Sequence, residues 1–73
     1  MAAGSALMDP RIETIRRECE ARYWLRYGYT TRARVAELTE LITTRRGRAS
    51  CDMLLADMRE QWRRRAEWLE PAP

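Results

Sequence analysis

Asp9-Pro10-Arg11-Ile12-Glu13-Thr14-Ile15-Arg16-Arg17-Glu18-Cys19-Glu20-Ala21-Arg22-Tyr23-Trp24-Leu25-Arg26-Tyr27-Gly28 is the stretch that decides how the chain is read. It opens on a capping carboxylate followed by proline at the first helical position. Ile12, Ile15, Cys19 and Tyr23 then recur at spacings of three, four and four, which is one face of a helix. Gly28 supplies a stop. The pattern predicts a helix over about 10–27, with that stripe turned to the core.

The same grammar repeats downstream. Thr30 and Thr31 can cap a second helix over about 31–46, with Val35, Leu38, Leu41 and Ile42 as its stripe and Gly47 at its end. Ser50 can cap a third over about 50–69, carrying Cys51, Leu55, Met58, Trp62, Ala66 and Leu69. Pro71 and Pro73 bar its continuation. No segment alternates like a strand. Residues 1–8 read as a flexible tail, 9–70 as a single helical domain and 71–73 as a second tail. Both connections are short, which favours antiparallel neighbours. The fold class is therefore all-α, a small up-down-up three-helix bundle; the alternative is a hairpin whose third helix completes its core in a homodimer. Pairs at i,i+4, among them Glu13–Arg17, Arg16–Glu20, Glu18–Arg22, Glu60–Arg64 and Arg63–Glu67, are expected on the outer faces.

Composition bounds function. With 73 residues the chain has room for one domain. A single core of this size seldom supplies more than about 3–5 kcal/mol, so regular packing or oligomerisation must add to it. It is 45% hydrophobic and 34% charged, too apolar for disorder and too charged for a membrane span, and the reading is a cytoplasmic protein. It has no His, no Lys and no glycine-rich phosphate loop, and its acids sit beside arginines that hold them ionised. No enzyme, cofactor, small-molecule substrate or membrane partner is expected. Two cysteines without His do not make a zinc site; Cys19 and Cys51 read as free, buried thiols.

All six aromatic residues fall in two clusters, Tyr23, Trp24, Tyr27 and Tyr29, then Trp62 and Trp68. An up-down-up order brings both to one pole. Tyr23 and Trp62 lie on the stripes; Trp24 and Trp68 lie off them. Tyr, Trp and Arg are enriched at binding hot spots. The expected partner surface is therefore Trp24 and Trp68 with Arg22, Arg26, Arg64 and Arg65. Leu25 and Met53 are also off-stripe and could join a dimer seam. Arg45, Arg46 and Arg48, at the opposite pole, either complement the helix C-terminus or contact phosphate. A helix-turn-helix starting at Thr31 would need a tight turn within a few residues of Leu38, but the helical pattern runs on to Gly47.

The run Arg16-Arg17-Glu18-Cys19-Glu20-Ala21-Arg22-Tyr23-Trp24-Leu25, the Arg45-Arg46-Gly47 turn and Trp62 resemble a family of short uncharacterised helical proteins. These are encoded by temperate phages and prophages of Gram-negative bacteria. The resemblance covers about residues 11–64 and brings no catalytic residues. It implies a small protein in the bacterial host cytoplasm that binds and modulates a host or phage protein. The alternatives are a small nucleic-acid-binding protein and a virion assembly component.

Overall fold

The Asp9 carboxylate accepts a hydrogen bond from the Arg11 backbone N–H at 2.9 Å and starts the first helix, with Pro10 in its first turn. The computed structural model describes residues 9–70, so the expected tails and the stop at Pro71 and Pro73 lie outside the described residues. Four helices follow: α1 (Pro10–Arg26), α2 (Arg32–Arg46), α3 (Arg48–Arg63) and the single turn α4 (Arg65–Trp68). The described residues contain helices and turns and no strand, and none of the helices is long and apolar enough to cross a membrane.

The end of α1 is fixed by backbone geometry. Gly28 has φ 104°, its N–H donates to Leu25 O, and the Tyr29 N–H donates to Trp24 O, both at 3.1 Å. This crossed pair is a Schellman motif, and the apolar contact that accompanies such motifs is the edge-on packing of Trp24 and Tyr29. Thr31 then caps α2, accepting from the Arg34 N–H at 3.2 Å. One residue, Gly47, separates α2 from α3. It adopts φ 93° and ψ 167°, a region open almost only to glycine. Ser50 is not the cap of the third helix: α3 begins at Arg48 with no side-chain cap. Nor does that helix run to 69. It breaks at Arg64 (φ −96°, ψ 18°), and α4 folds back so that the Trp68 indole N–H reaches Gln61 O at 2.8 Å.

Partners advance together along α1 and α3: Arg17 meets Asp57, Arg22 meets Gln61, and Arg26 reaches the Trp68 carbonyl beyond. These two helices are parallel. Cys51, early in α3, contacts the Thr39 carbonyl, whereas Met58 and Arg59 share a cleft with Val35 near the start of α2; those two helices are antiparallel. The up-down-up order is therefore present. Both α1 and α2 pack on α3 far more than on each other.

The core consists of Ala21 and Leu25 from α1, Leu38 and Ile42 from α2, and Cys51, Leu54 and Met58 from α3. This corrects the expected stripe of α1. Ile12 and Ile15 are 50% and 57% exposed, Tyr23 is 53% exposed, and Cys19 lies on the surface. The helix carries two apolar faces, and α3 packs on the one with the small Ala21, where two backbones can approach closely. Periodicity marks an apolar face without saying which face is covered. Elsewhere the stripes hold in part: Leu38, Ile42, Cys51 and Met58 are buried, while Leu41, Trp62 and Ala66 are exposed. Both cysteines are free thiols, but only Cys51 is buried.

Replacing Gly47 with Ala tests the one-residue link. Nothing lies within 4 Å of the added Cβ, so the cost is purely one of backbone conformation. It is expected to be about 1–3 kcal/mol, lowering Tm by roughly 4–8 °C per kcal/mol. Thermal melts followed by circular dichroism measure it; an unchanged Tm would show that the link can relax.

Candidate functional site

The aromatic pole assembles as the chain order requires, but with its rings inverted relative to the sequence reading. Trp24 and Trp68, expected to face solvent, are half-buried against the core. Tyr23 and Trp62, expected inside, are exposed. The cause is hydrogen bonding as well as size: an indole N–H taken from water needs an acceptor. Trp24 finds the Glu20 carboxylate at 3.2 Å and Trp68 finds the Gln61 carbonyl.

The arginines expected to ring a partner site are engaged within the chain. Arg22 and Arg26 lie over the Trp68 ring, 5.5 and 5.1 Å from its centroid. Arg22 also donates to the buried Gln61 side chain at 2.7 Å, and Arg26 to the Trp68 carbonyl at 3.0 Å. Together they latch α4 onto α1. Arg64 spans Glu67 at 3.0 Å and Glu18 at 3.5 Å. Arg65 sits 4.7 Å from the Trp62 centroid. All six expected residues are thus brought to one end, and most of their polar capacity is spent on holding that end together.

Ion pairing also departs from the expected i,i+4 ladder. Two of the three shortest pairs are tertiary: Arg17–Asp57 at 2.7 Å ties α1 to α3, and Arg46–Glu20 at 2.6 Å ties the end of α2 to α1. Glu60 takes Arg63 at 2.6 Å, three residues on, rather than Arg64. The forked guanidinium favours a carboxylate it can grip with two N–H groups, as in both tertiary pairs. Arg46 holds the Glu20 carboxyl below its ordinary range, helped by the Trp24 N–H and opposed by burial. Arg64 does the same for Glu67, and Arg63 for Glu60. These carboxylates are stabilised as anions, suited to pairing rather than to donating protons at neutral pH. Among the described residues, no group of three or more His, Cys, Asp or Glu could hold a metal ion.

The second expected cluster, Arg45, Arg46 and Arg48, does not form a free basic patch. Arg46 is bound to Glu20, and Arg48 lies 3.8 Å from Asp52. Arg45 is exposed at the end of α2.

Sequence reasoning missed a cleft. Between the C-terminal end of α1, the start of α2 and the end of α3 lies an open depression of about 200 Å³. Leu25, Val35, Leu55 and Met58 form its floor and walls, with Tyr29 and Trp62 at its sides and Arg59 at its edge. Arg34 lies over the Tyr29 ring at 4.3 Å, and Arg65 over Trp62, so the surroundings are basic as well as aromatic. The cleft exists because α2 starts only at Arg32, after the turn that follows α1, leaving the upper part of α3 uncovered. Its one sequence signal was Val35 and Leu55, which lie on two stripes that face each other.

The chain belongs to a family of unknown function, DUF7696, whose model matches residues 11–65. No curated protein and no solved structure matches it.

The Arg46–Glu20 tie predicts acid sensitivity with a defined sign. The folded Glu20 pKa is lowered, so its contribution is fully present above the unfolded carboxylate value, about 4.3, and is lost as pH falls through the folded value. Glu20→Gln should cost about 1 kcal/mol at pH 7 and flatten the acid limb of stability against pH. Urea denaturation from pH 7 to 3 measures both. An acid limb identical in the variant would mean that another carboxylate sets it.

Proposed function

We propose that the protein is a non-catalytic protein-interaction module, of the phage or prophage type that its sequence resembles, which binds and modulates a host or phage protein. The observation that carries this reading is the apolar cleft lined by Leu25, Val35, Leu55, Met58, Tyr29 and Trp62. At about 200 Å³ the cleft is smaller than the pockets that enclose an organic ligand, and its open mouth suits one or two large side chains. It offers no dense set of polar groups to orient a small molecule. Its basic surroundings, Arg34, Arg59 and Arg65, favour acidic flanks on whatever enters. The occupant that fits is an amphipathic helix of a partner protein, with large apolar anchors and Asp or Glu beside them.

Four of the six residues singled out from the sequence acquire a supporting role in this reading. Arg22, Arg26 and Trp68 hold α4 in place, and Arg65 braces Trp62 at the cleft wall. A nucleic-acid reading would rest on Arg45, Arg46 and Arg48, two of which are paired with carboxylates, and no observation favours it.

The test uses a synthetic amphipathic helix with Leu and Trp anchors and Glu flanks, titrated into the labelled protein and followed by amide NMR. Shifts should map to Val35, Leu55 and Trp62. Trp62→Ala, at a ring already 38% exposed, should leave helicity intact yet lose about 2 kcal/mol or more of binding, the size of a hot spot. Affinity should fall only a few-fold between about 50 and 200 mM salt, from screening of the acidic flanks, where phosphate-driven binding loses orders of magnitude. Shifts confined to the Arg45–Arg48 end, or binding to duplex DNA with a steep salt slope, would overturn the proposal.

A further inference from the structure

The back of α1 carries an apolar stripe that no part of the described chain covers. At 100° per residue, Ile12, Ile15, Cys19 and Tyr23 fall within an arc of about 80°, and Tyr27 extends it by one more turn. This arc lies on the opposite side of the helix from Ala21 and Leu25, which face α3. Ile12, Ile15, Tyr23 and Tyr27 are all half or more exposed, the last at 65%, and Tyr27 stacks on Tyr23 at 5.6 Å, making the upper half of the stripe continuous. From Ile12 to Tyr27 it runs about 22 Å.

We infer that this stripe is the seam of a homodimer in which α1 packs in parallel on α1 of a second copy. Three features select a second copy over another occupant. The first is area. Each large side chain has on the order of 100 Å² to bury; with Cys19 and the stems of Arg16 and Arg26, the stripe approaches the roughly 600 Å² per copy of the smallest specific interfaces. The second is shape. A two-fold seam must be self-complementary, and the smallest side chain, Cys19, sits at the waist between the Ile pair and the Tyr pair, where two helices can come closest. The third is charge. One border carries Arg11, Arg22 and Arg26; Glu18 on that side is already held by Arg64. The other border carries Glu13 balanced by Arg16, and its Glu20 is already held by Arg46, so it is close to neutral. In a parallel pair opposite borders meet, basic against neutral, whereas an antiparallel pair sets the basic border against itself.

The dimer also accounts for the first two turns of α1. Every side chain from 10 to 16 is exposed, so these turns gain little from their own bundle, and helices in proteins are stabilised mainly by packing. The seam and the cleft lie on opposite faces of α1, so a dimer would present two clefts pointing outward. The inference stands whether or not the cleft is the partner site.

Light scattering of the full chain at micromolar concentration should give twice the 8.7 kDa chain mass. Ile15→Glu should halve that mass with unchanged helicity, because the residue touches nothing in its own core. Copper–phenanthroline should take one proton and one electron from each Cys19 thiol and give a covalent dimer, abolished by Cys19→Ser; Cys51, 1% exposed, cannot substitute. Ile12→Cys in the Cys19→Ser background should also cross-link, as only a parallel pair brings residue 12 beside its copy. A monomer mass at high micromolar concentration, or a dimer that survives Ile15→Glu, overturns the inference. Failure of Ile12→Cys alone to cross-link overturns the parallel arrangement.

Discussion

Everything in this fold depends on α3 having apolar surface on two sides. Among the described residues it is the one long helix that packs extensively on both others. Counting 100° per residue, its covered face runs from Asp57 through Gln61, Leu54 and Met58 to Cys51 and Leu55, an arc of about 160°. The Asp57 side meets α1 and the Cys51 side meets α2. A helix with a narrower stripe could have organised a hairpin but not a three-helix arrangement. The middle of the arc, Leu54 and Met58, belongs to the single core cluster that joins all three helices.

A core this small leaves much to the polar groups around it. Alongside several local pairs, a few arginines are spent on tertiary contacts. Arg17 reaches Asp57, Arg46 reaches Glu20, and Arg22 reaches Gln61, each linking helices far apart in sequence. Gln61 is the most demanding of these partners, because its side chain is buried and an unmet polar group there would be costly. Arg22 satisfies the side-chain oxygen, and Trp68 occupies the neighbouring carbonyl. The break at Arg64 follows from this, since an unbroken helix would carry Trp68 away from Gln61 and from the two guanidinium groups above its ring.

The same economy separates surface that is used from surface that is left over. The aromatic pole resembles a hot spot in composition, yet its indoles and arginines largely satisfy one another. What remains open is apolar: the cleft beside Trp62 and the back of α1. For a chain in a family defined without an activity, these two surfaces are where contact with other molecules has most to gain, since their burial would remove apolar area from water without breaking an internal hydrogen bond.

By itself the sequence determined the three long helices and their order, though not the break at Arg64. Asp9-Pro10, Gly28, Thr31 and Gly47 act through local backbone geometry, which a few neighbouring residues dictate, and the short links left up-down-up as the simplest path. The tertiary structure decided which face of each helix was covered. Ile12, Ile15, Cys19 and Tyr23 make the better stripe on paper, but Ala21 and Leu25 make the contact, because closeness of approach to α3 depends on shapes from another part of the chain. It also decided that Trp24 and Trp68 turn inward while Tyr23 and Trp62 stay out: Glu20 lies one helical turn before Trp24, but the Gln61 carbonyl reaches Trp68 only because the chain breaks at Arg64. The cleft was legible only through Val35 and Leu55, because it is a gap between three elements whose packing sets its shape.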